Sequence, residues 1–544
     1  MNNNITHIIN KACRILVIPA ALFSMGSCSK ALEETPYSFY SPENFYKNES
    51  DAKIAMNGVY SALNTWEMYQ QPFWNLTVLD DDHVSGADWF LGTSGAGNPQ
   101  GYWGVDGPWV GCYTIIGRAN TVLENVSKIE TTIDPEIKQR ILGECYFLRG
   151  WAYFQLVQLY GAVPVRLETL SADPDRNKPR SSVEQVYAAI IADFKKAETM
   201  LFPAGHAKAG ELGRATRGLA KGMLAKTYLT MASGAATGNV SVRGGQDNGY
   251  YTYAKTVVAG YENINSKHYA ELARDKAMEL ILDNEYALYD SWKELWAKAS
   301  RNRKEHMWEV QSMTGTAFMN NLHNYFSALS TFGRGATWYT NNHYSDYEDA
   351  DLRVLDGVVH NYATNTGTRY FYPSWQAAIY KNLNGLVYNN NGTTDDRAYV
   401  IKYADVSDPT LANSDAYFPL MRYSEIYLIY AEAANEANDG PTVEAYTQLK
   451  KVRDRAHASE APAGMDKEQF RSFVIAERAR EFALEGVRRF DLMRWGIYLQ
   501  VMNKIGTGQN NISKVRAPRN LLLPIPLSEI NSNQALNKIN NPGW

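Results

Sequence analysis

The sequence predicts a mostly α fold, a tetratricopeptide-like helical-repeat scaffold that carries long aromatic-rich loop insertions and contains little β-structure. Three observations predict it. Apolar residues recur at spacings of three and four along several long segments, the signature of helices with one buried face. Near the C-terminus, two such segments flank Asp439-Gly440-Pro441 and together make a helix–turn–helix of about 33 residues, the length of a tetratricopeptide unit. Two stretches rich in glycine and aromatic residues interrupt the helical pattern and read as shaped loops.

The first element is an address. Lys11 and Arg14 precede the apolar run Ile15 to Phe23, and Met25-Gly26-Ser27-Cys28 follows, so residues 1–27 read as a signal peptide. The apolar core is about half of the ~20 residues a spanning helix requires. Cys28 directly follows two small residues, as in the lipobox of bacterial lipoproteins, although Met25 stands where that motif more often has leucine. Acylation there gives lasting attachment, because each buried acyl CH₂ contributes about 0.8 kcal/mol. The alternative is an ordinary secreted protein whose cysteine falls at this place by chance.

Residues 29–50, with Pro36 and Pro42, form an extended lead-in to a helix from Ser50 to Trp66 whose stripe is Ile54, Val59 and Leu63. From Gly86 to Gly111 eight glycines mingle with Trp89, Phe90, Tyr102, Trp103 and Trp109, which marks a loop. Helices return at Tyr113 to Ile129 and at Pro135 to Tyr160, the latter striped by Ile141, Cys145, Leu148, Ala152, Leu156 and Leu159 and stopped by Gly161 and Pro164. Ser182 and Gln185 resemble a capping box opening a helix through Val186, Ile190, Phe194 and Ala197. Further helices are expected from Ala215 to Met231 and from Tyr269 to Leu282.

Between about 300 and 418 the texture changes. His306 to Gln311 alternates as a short extended piece, and the rest is rich in Asn, Gly, Thr and Tyr, with Trp338, Tyr339, Tyr344, Tyr347, Tyr370, Phe371, Tyr372 and Trp375. So long a loop region is either functional or disordered, and its aromatic density argues against disorder. The remainder is helical again: Ser424 to Asn438, Thr442 to Ala456, Lys467 to Glu485 and Val487 to Met502.

Composition narrows the function. The formal charge is −4 without a long basic run, which argues against nucleic acid as a partner. Four cysteines occur; with Cys13 removed and Cys28 acylated, Cys112 and Cys145 remain, and their apolar helical settings favour buried free thiols over a disulfide. No C-x-x-C is present to build a zinc or redox site. Aromatic residues make 12% of the chain, and tyrosine and tryptophan, each an apolar body with a polar tip, suit contact surfaces.

Two acidic motifs invite a catalytic or metal role. Glu477, Glu481 and Glu485 share one helical face and could serve as an acid–base pair or as metal ligands. Arg478, Arg480, Arg488, Arg489 and Arg494 stand beside them, however, which favours a structural network of bidentate ion pairs. Asp80-Asp81-Asp82-His83 could hold calcium, but adjacent residues rarely converge on one ion, and such a run more often caps a helix or faces water. No phosphate-binding glycine loop, G-x-S-x-G elbow or H-E-x-x-H occurs, so no catalytic residue, metal or cofactor is expected.

Five segments, in order, resemble the SusD/RagB family. They are Glu34-Thr-Pro36 with Ala55-Met-Asn-Gly58-Val-Tyr60; Gly143 to Leu156 with Tyr160-Gly-Ala-Val-Pro164; and Arg422 to Ala433. Glu477 to Gly496 and Leu523-Pro-Ile-Pro526 with Asn541-Pro-Gly-Trp544 complete the set. The resemblance implies one nutrient-binding domain over 28–544, with an N-terminal part at 28–300 and a C-terminal part at 301–544, built on four tetratricopeptide-like helix pairs. It also implies a lipid-anchored, surface-facing protein of the outer membrane that captures glycan and hands it to a SusC-like TonB-dependent transporter. Peptide capture in the RagB manner is the alternative, and an all-helical glycoside hydrolase the remote one.

Within that frame the aromatic loops are the candidate binding surface, because sugar rings carry apolar C–H faces that stack on indole and phenol. The expected ligand-binding residues are Trp338, Trp89, Trp103, Tyr339 and Trp375, with Asn98 and Asp88 as polar partners, and Cys28 is the expected site of lipid attachment. The competing reading is that these rings merely pin the loops to the helical body.

Overall fold

The helical periodicities become helices whose ends are chemically legible. The computed structural model describes residues 45–328, 334–364, 366–373, 393–395 and 397–544. Residues 48–544 form one compact unit, separate from the unit that ends at Lys47. Helix α1 (Glu49–Ser61) is capped by the Asn48 side chain, which accepts from the Asp51 amide, and it ends before Trp66. After α2 (Pro72–Val78), α3 (Gly107–Val126) starts inside the expected loop rather than at Tyr113. Helix α4 (Pro135–Tyr160) has the expected bounds: Asp134 accepts from the Glu136 and Ile137 amides, Pro135 takes the first position, and Gly161 ends the helix at φ 70°. The expected capping box between Ser182 and Gln185 opens α5 (Val183–Met200).

Helices α6 (Arg217–Ala235) and α7 (Ser266–Asp283) follow, then the short α8 (Leu322–Phe326) and α9 (Asn341–Ser345). The C-terminal third holds α10 (Tyr423–Ala437), α11 (Val443–Arg455), α12 (Lys467–Glu481), α13 (Arg488–Arg494), α14 (Tyr498–Ile505) and α15 (Leu527–Ser532). The single helix expected over 487–502 is two, because Gly496 turns the chain at φ 64°. Neighbours in sequence are neighbours in space: α3 packs on α4, α4 on α5, α5 on α6, α6 on α7, and α10 on both α7 and α11. Every residue of α10 is buried. Among the described residues no helix is long and apolar enough to cross a membrane.

The β-structure is sparse, as expected. Strands β1 (Val84–Gly86), β2 (Gly238–Gly244), β3 (Gly249–Lys255), β4 (His306–Val310), β5 (Thr337–Tyr339), β6 (Asn361–Ala363), β7 (Arg369–Phe371), β8 (Thr393–Thr394) and β9 (Phe418–Arg422) pair as β1–β5, β2–β3, β4–β9 and β6–β7–β8. Strand β4 is the alternating piece seen in the sequence, whereas the β2–β3 hairpin was not expected. Its inward Val240 and Val242 pack against Ile475, Leu492, Trp495 and Tyr498. The long middle insertion leaves the helical stack after α7 and returns at α10, and the rings of Tyr286 and Tyr423 at exit and re-entry lie 5.7 Å apart.

Buried charges fasten both insertions to this stack. Arg353 binds Asp351 at 2.7 Å, Glu477 at 2.6 Å and Glu481 at 3.3 Å, and Arg422 binds Glu305 at 2.7 Å with Glu481 and Glu485 at 2.8 Å. Arg453 and Arg480 complete the shell of Glu477, and Arg455 joins Glu305 to Glu481. The carboxylates at 477, 481 and 485 are thus partners of guanidiniums, as their arginine-rich surroundings implied. The acidic run is a different matter. Asp80, Asp81 and Asp82 neither cap a helix nor face water: all three are buried, Asp80 against Arg489 and Arg516, Asp82 against Arg488 at 2.6 Å. Adjacent side chains diverge, and α13 and the segment around 516 supply a cation to each side. Among the described residues no group of three metal-ligating side chains converges. Cys112 and Cys145 are buried free thiols.

Burial alone would raise Glu477 and Glu481, but Arg353, Arg480 and Arg453 around the first, and Arg455, Arg422 and Arg353 around the second, hold both well below the ordinary 4.5. Asp491, buried between Arg478 and Arg494, is likewise held down, at about 2. Carboxylates lowered by folding stabilise the native state fully above their unfolded values, and that stabilisation is lost as pH falls through the folded values. The thermal midpoint is therefore expected to be level near neutrality and to drop steeply below about pH 4.5, measured by circular dichroism. Arg422→Met, which takes one guanidinium away from three buried carboxylates at once, is expected to cost about 3–5 kcal/mol in urea unfolding.

Candidate aromatic binding site

The two aromatic-rich insertions meet in one short ladder. Strand β1 pairs antiparallel with β5, Val84 opposite Tyr339, Ser85 opposite Trp338 and Gly86 opposite Thr337. Gly86 is required by this approach, since a Cβ there would collide with the Ala336 carbonyl. Gly107 plays the same part further on, where a Cβ would meet the Glu67 carbonyl. These contacts hold the 84–107 segment against the body, so its side chains are pre-positioned.

The ladder sorts the expected residues. All three residues of β5 are buried, so Trp338 and Tyr339 are not surface platforms. Trp338 is 2% exposed and packs with Ala328, Tyr362 and Tyr399, its indole edge-on to Tyr399 at 5.7 Å and capped by Arg397 at 5.4 Å. Tyr339 stands edge-on to His343 at 5.0 Å. For these two rings the pinning role is what the geometry shows, and they are corrected as contact residues. Trp375 and Cys28 lie outside the described residues.

Beyond β1 the rings turn outward. Trp89 is 62% and Trp103 60% exposed, and Trp66, which the sequence reading missed, is 48% exposed. Among the described residues these are the exposed tryptophans. Trp66 lies flat on Trp103, centroids 4.9 Å apart and planes 8° from parallel. Trp103 leans on Tyr102 at 4.9 Å, and Tyr102 is itself buried. Tyr325 stacks on Phe90 at 4.3 Å and 6°, and Phe90 abuts Trp89 at 5.6 Å. Beneath them Trp74, fully buried, touches Phe90 at 6.1 Å and Tyr325 at 6.0 Å. The result is a ridge of three exposed indoles, Trp66, Trp103 and Trp89, footed on the buried rings of Tyr102, Phe90, Tyr325 and Trp74.

The polar complement is close by in the chain. Asp88 and Asn98 are both exposed, Asp88 next to Trp89 at the start of a one-turn helix, Asn98 between the two indoles in sequence. The Arg334 guanidinium lies 5.7 Å from the Tyr325 ring. Burial pushes the Tyr102 phenol up, so it stays protonated at neutral pH. Flat apolar faces with a carboxylate, an amide and a guanidinium near them suit a ligand that has both C–H faces and hydroxyls.

Comparison with known proteins places the whole chain. Residues 278–544 match the family model described as SusD family, and residues 99–229 the one described as "Starch-binding associating with outer membrane". SusD-like protein P25 of Formosa agariphila is 25% identical over 566 residues, covering 97% of this chain and 98% of its own. A SusD homolog from Bacteroides thetaiotaomicron superposes with a TM-score of 0.71 at 21% identity, over 92% of this chain and 98% of that one. The surface glycan-binding protein A of Bacteroides fluxus superposes at 0.67 with 19% identity, over 92% and 100% of the two chains.

Since Trp338 is core and Trp89 and Trp103 are not, their alanine variants should separate cleanly. Trp338→Ala is expected to cost about 3–5 kcal/mol in chemical denaturation. Trp89→Ala and Trp103→Ala are expected to stay within about 1 kcal/mol of the parent.

Proposed function

Because the chain belongs to the SusD/RagB family, we propose that it captures an oligosaccharide at the cell surface and passes it, chemically unaltered, to a SusC-like TonB-dependent transporter of the outer membrane. The observation that carries this reading is the set of three exposed indoles, the stacked Trp66 and Trp103 and, beyond them, Trp89, each seated on buried aromatic rings. Large rings are expensive to leave in water, and here the backbone around three indoles is fixed, so a ligand that covers them gains area without ordering the protein. Sugar C–H faces stack on the indoles while Asp88 and Asn98 meet hydroxyls. The description matched by residues 99–229 and the naming of the Bacteroides fluxus protein support a saccharide as ligand and the outer membrane as location. Acyl chains on Cys28 provide the anchor, and the whole of 28–544 acts as one nutrient-binding domain.

Calorimetric titration of the mature protein against panels of neutral oligosaccharides and of peptides tests this. At least one oligosaccharide is expected to bind, and Trp89→Ala or Trp103→Ala is expected to weaken it at least about tenfold. Binding of peptides with no oligosaccharide affinity would transfer the ridge to a different ligand class, and release of shorter sugars by the pure protein would make it an enzyme.

A further inference from the structure

The exposed indoles stand on stretches of chain that lack cations. No Lys or Arg occurs between Lys53 and Arg118, which span Trp66, Trp89 and Trp103, nor between Lys304 and Arg334, which span Tyr325. The first stretch does carry carboxylates. Asp80, Asp81 and Asp82 are buried, and distant arginines match the outer two. Glu67, Asp88 and Asp106 remain at the surface, Glu67 half-buried and the other two exposed.

Two of these belong to the stacked pair. Glu67 directly follows Trp66, and Asp106 comes three residues after Trp103. The two segments touch, since a Cβ on Gly107 would meet the Glu67 carbonyl and one on Gly104 the Pro72 ring. Gln70 donates to the Ala317 carbonyl at 2.7 Å and so lays part of the second cation-free stretch beside this end. Asp106 precedes α3 without capping it through its side chain. Partial burial pushes its carboxyl up, and no cation or donor pulls it down. Among the described residues neither Glu67 nor Asp106 has an ion-pair partner.

The nearest cations in the chain serve other places. Arg334 lies at the Trp89 end, 5.7 Å from the Tyr325 ring. Arg118 donates to the Gly58 carbonyl at 2.6 Å, and roughly 18 Å of α3 separate it from Asp106. That is about twice the ~8 Å over which exposed charges act in physiological salt. The positive end of α3 offsets part of the Asp106 charge but none of Glu67. The field over the stacked indoles is negative.

Elsewhere in this protein an indole face is a seat for a cation. Trp292, Trp296, Trp338, Trp495 and Trp544 each have an ammonium or guanidinium within 5.4 Å of the ring centre. Among the described residues no cation covers Trp66, Trp89 or Trp103. At the stacked pair a bare indole face and two unmatched carboxylates therefore coincide.

We propose that the Trp66–Trp103 end of the ridge selects an amino sugar, a hexose unit whose free ammonium lies against the indole beside Glu67 and Asp106 while its C–H face stacks on the ring. Acetylation of the amine removes the charge that this end attracts, and a carboxylated or sulfated sugar is repelled by it. A lysine side chain offers the ammonium without the rigid C–H face that matches a flat indole. The inference names the class of saccharide taken by the ridge and rests on the reading of the ridge as a saccharide site.

The test uses the full mature protein and three trimers that share a β-1,4 backbone and differ at C2: the glucosamine trimer, its N-acetylated form and cellotriose. Trilysine is the fourth probe, and titration calorimetry gives the affinities. The glucosamine trimer is expected to bind at least about tenfold more tightly than the other three, and the margin is expected to shrink as salt is raised. Trp103→Ala is expected to weaken every trimer that binds. The double variant Glu67→Gln, Asp106→Asn, which takes no ion pair from the fold, is expected to abolish the tenfold preference. Equal binding of the glucosamine trimer and a neutral trimer overturns this inference and leaves the ridge as a saccharide site. Trilysine binding as tightly as the glucosamine trimer, or a preference that survives in the double variant, overturns it as well. If no saccharide binds at all, neutral or cationic, both readings fall together.

Discussion

Everything in this protein hangs on guanidinium–carboxylate pairs taken out of water. A buried ion is costly unless it is paired and fully hydrogen-bonded, and breaking one partner is far worse than never having had the pair. Glu305, Asp351, Arg353, Arg422, Arg453, Arg455, Glu477 and Glu481 satisfy one another across segments far apart in sequence. Such a network admits one arrangement, because a register slip in any strand or helix would strand a charge. Its contribution is to specify where the middle insertion sits on the helical stack, while apolar packing within α4, α6 and α10 supplies the bulk of the stability. The Asp80–Asp82 cluster does the same for the first insertion, through Arg488, Arg489 and Arg516.

Rigid attachment is what lets aromatic rings remain outside. A flexible loop bearing three indoles would fold them inward or promote aggregation, since exposed apolar patches are costly. Here glycines at 86 and 107 bring the backbone against neighbouring carbonyls, Trp74 braces the ridge from below, and the charged cluster fixes the strand that leads into it. Buried rings such as Trp338 and exposed ones such as Trp89 are therefore one design: the first hold the frame that keeps the second in place.

Much of the scaffold was legible. The bounds of α4, the capping box of α5 and the alternation of β4 are local properties, written in neighbouring residues. The β2–β3 hairpin escaped because its strands alternate only weakly and its turn is not one of the strong two-residue signals. At the site, composition located the right segments but could not tell an inward ring from an outward one, which depends on the partner of a three-residue strand. Trp66 was hidden for the same kind of reason: it follows Leu63 by three residues and reads as one more core position, but the helix has already ended at Ser61. The acidic run was misplaced because its cations lie some four hundred residues further along the chain.

The meeting of Tyr286 with Tyr423 has a corollary for how such proteins diversify. A segment whose two ends touch can be lengthened, shortened or traded among relatives at little entropic cost to the scaffold, since loop closure grows only with the logarithm of length. The trade is constrained at one place. Any replacement cassette must arrive with its own counterparts for Arg422, Arg455 and Glu477, so recombination would favour cassettes that carry the equivalents of Glu305 and Arg353 and vary freely elsewhere.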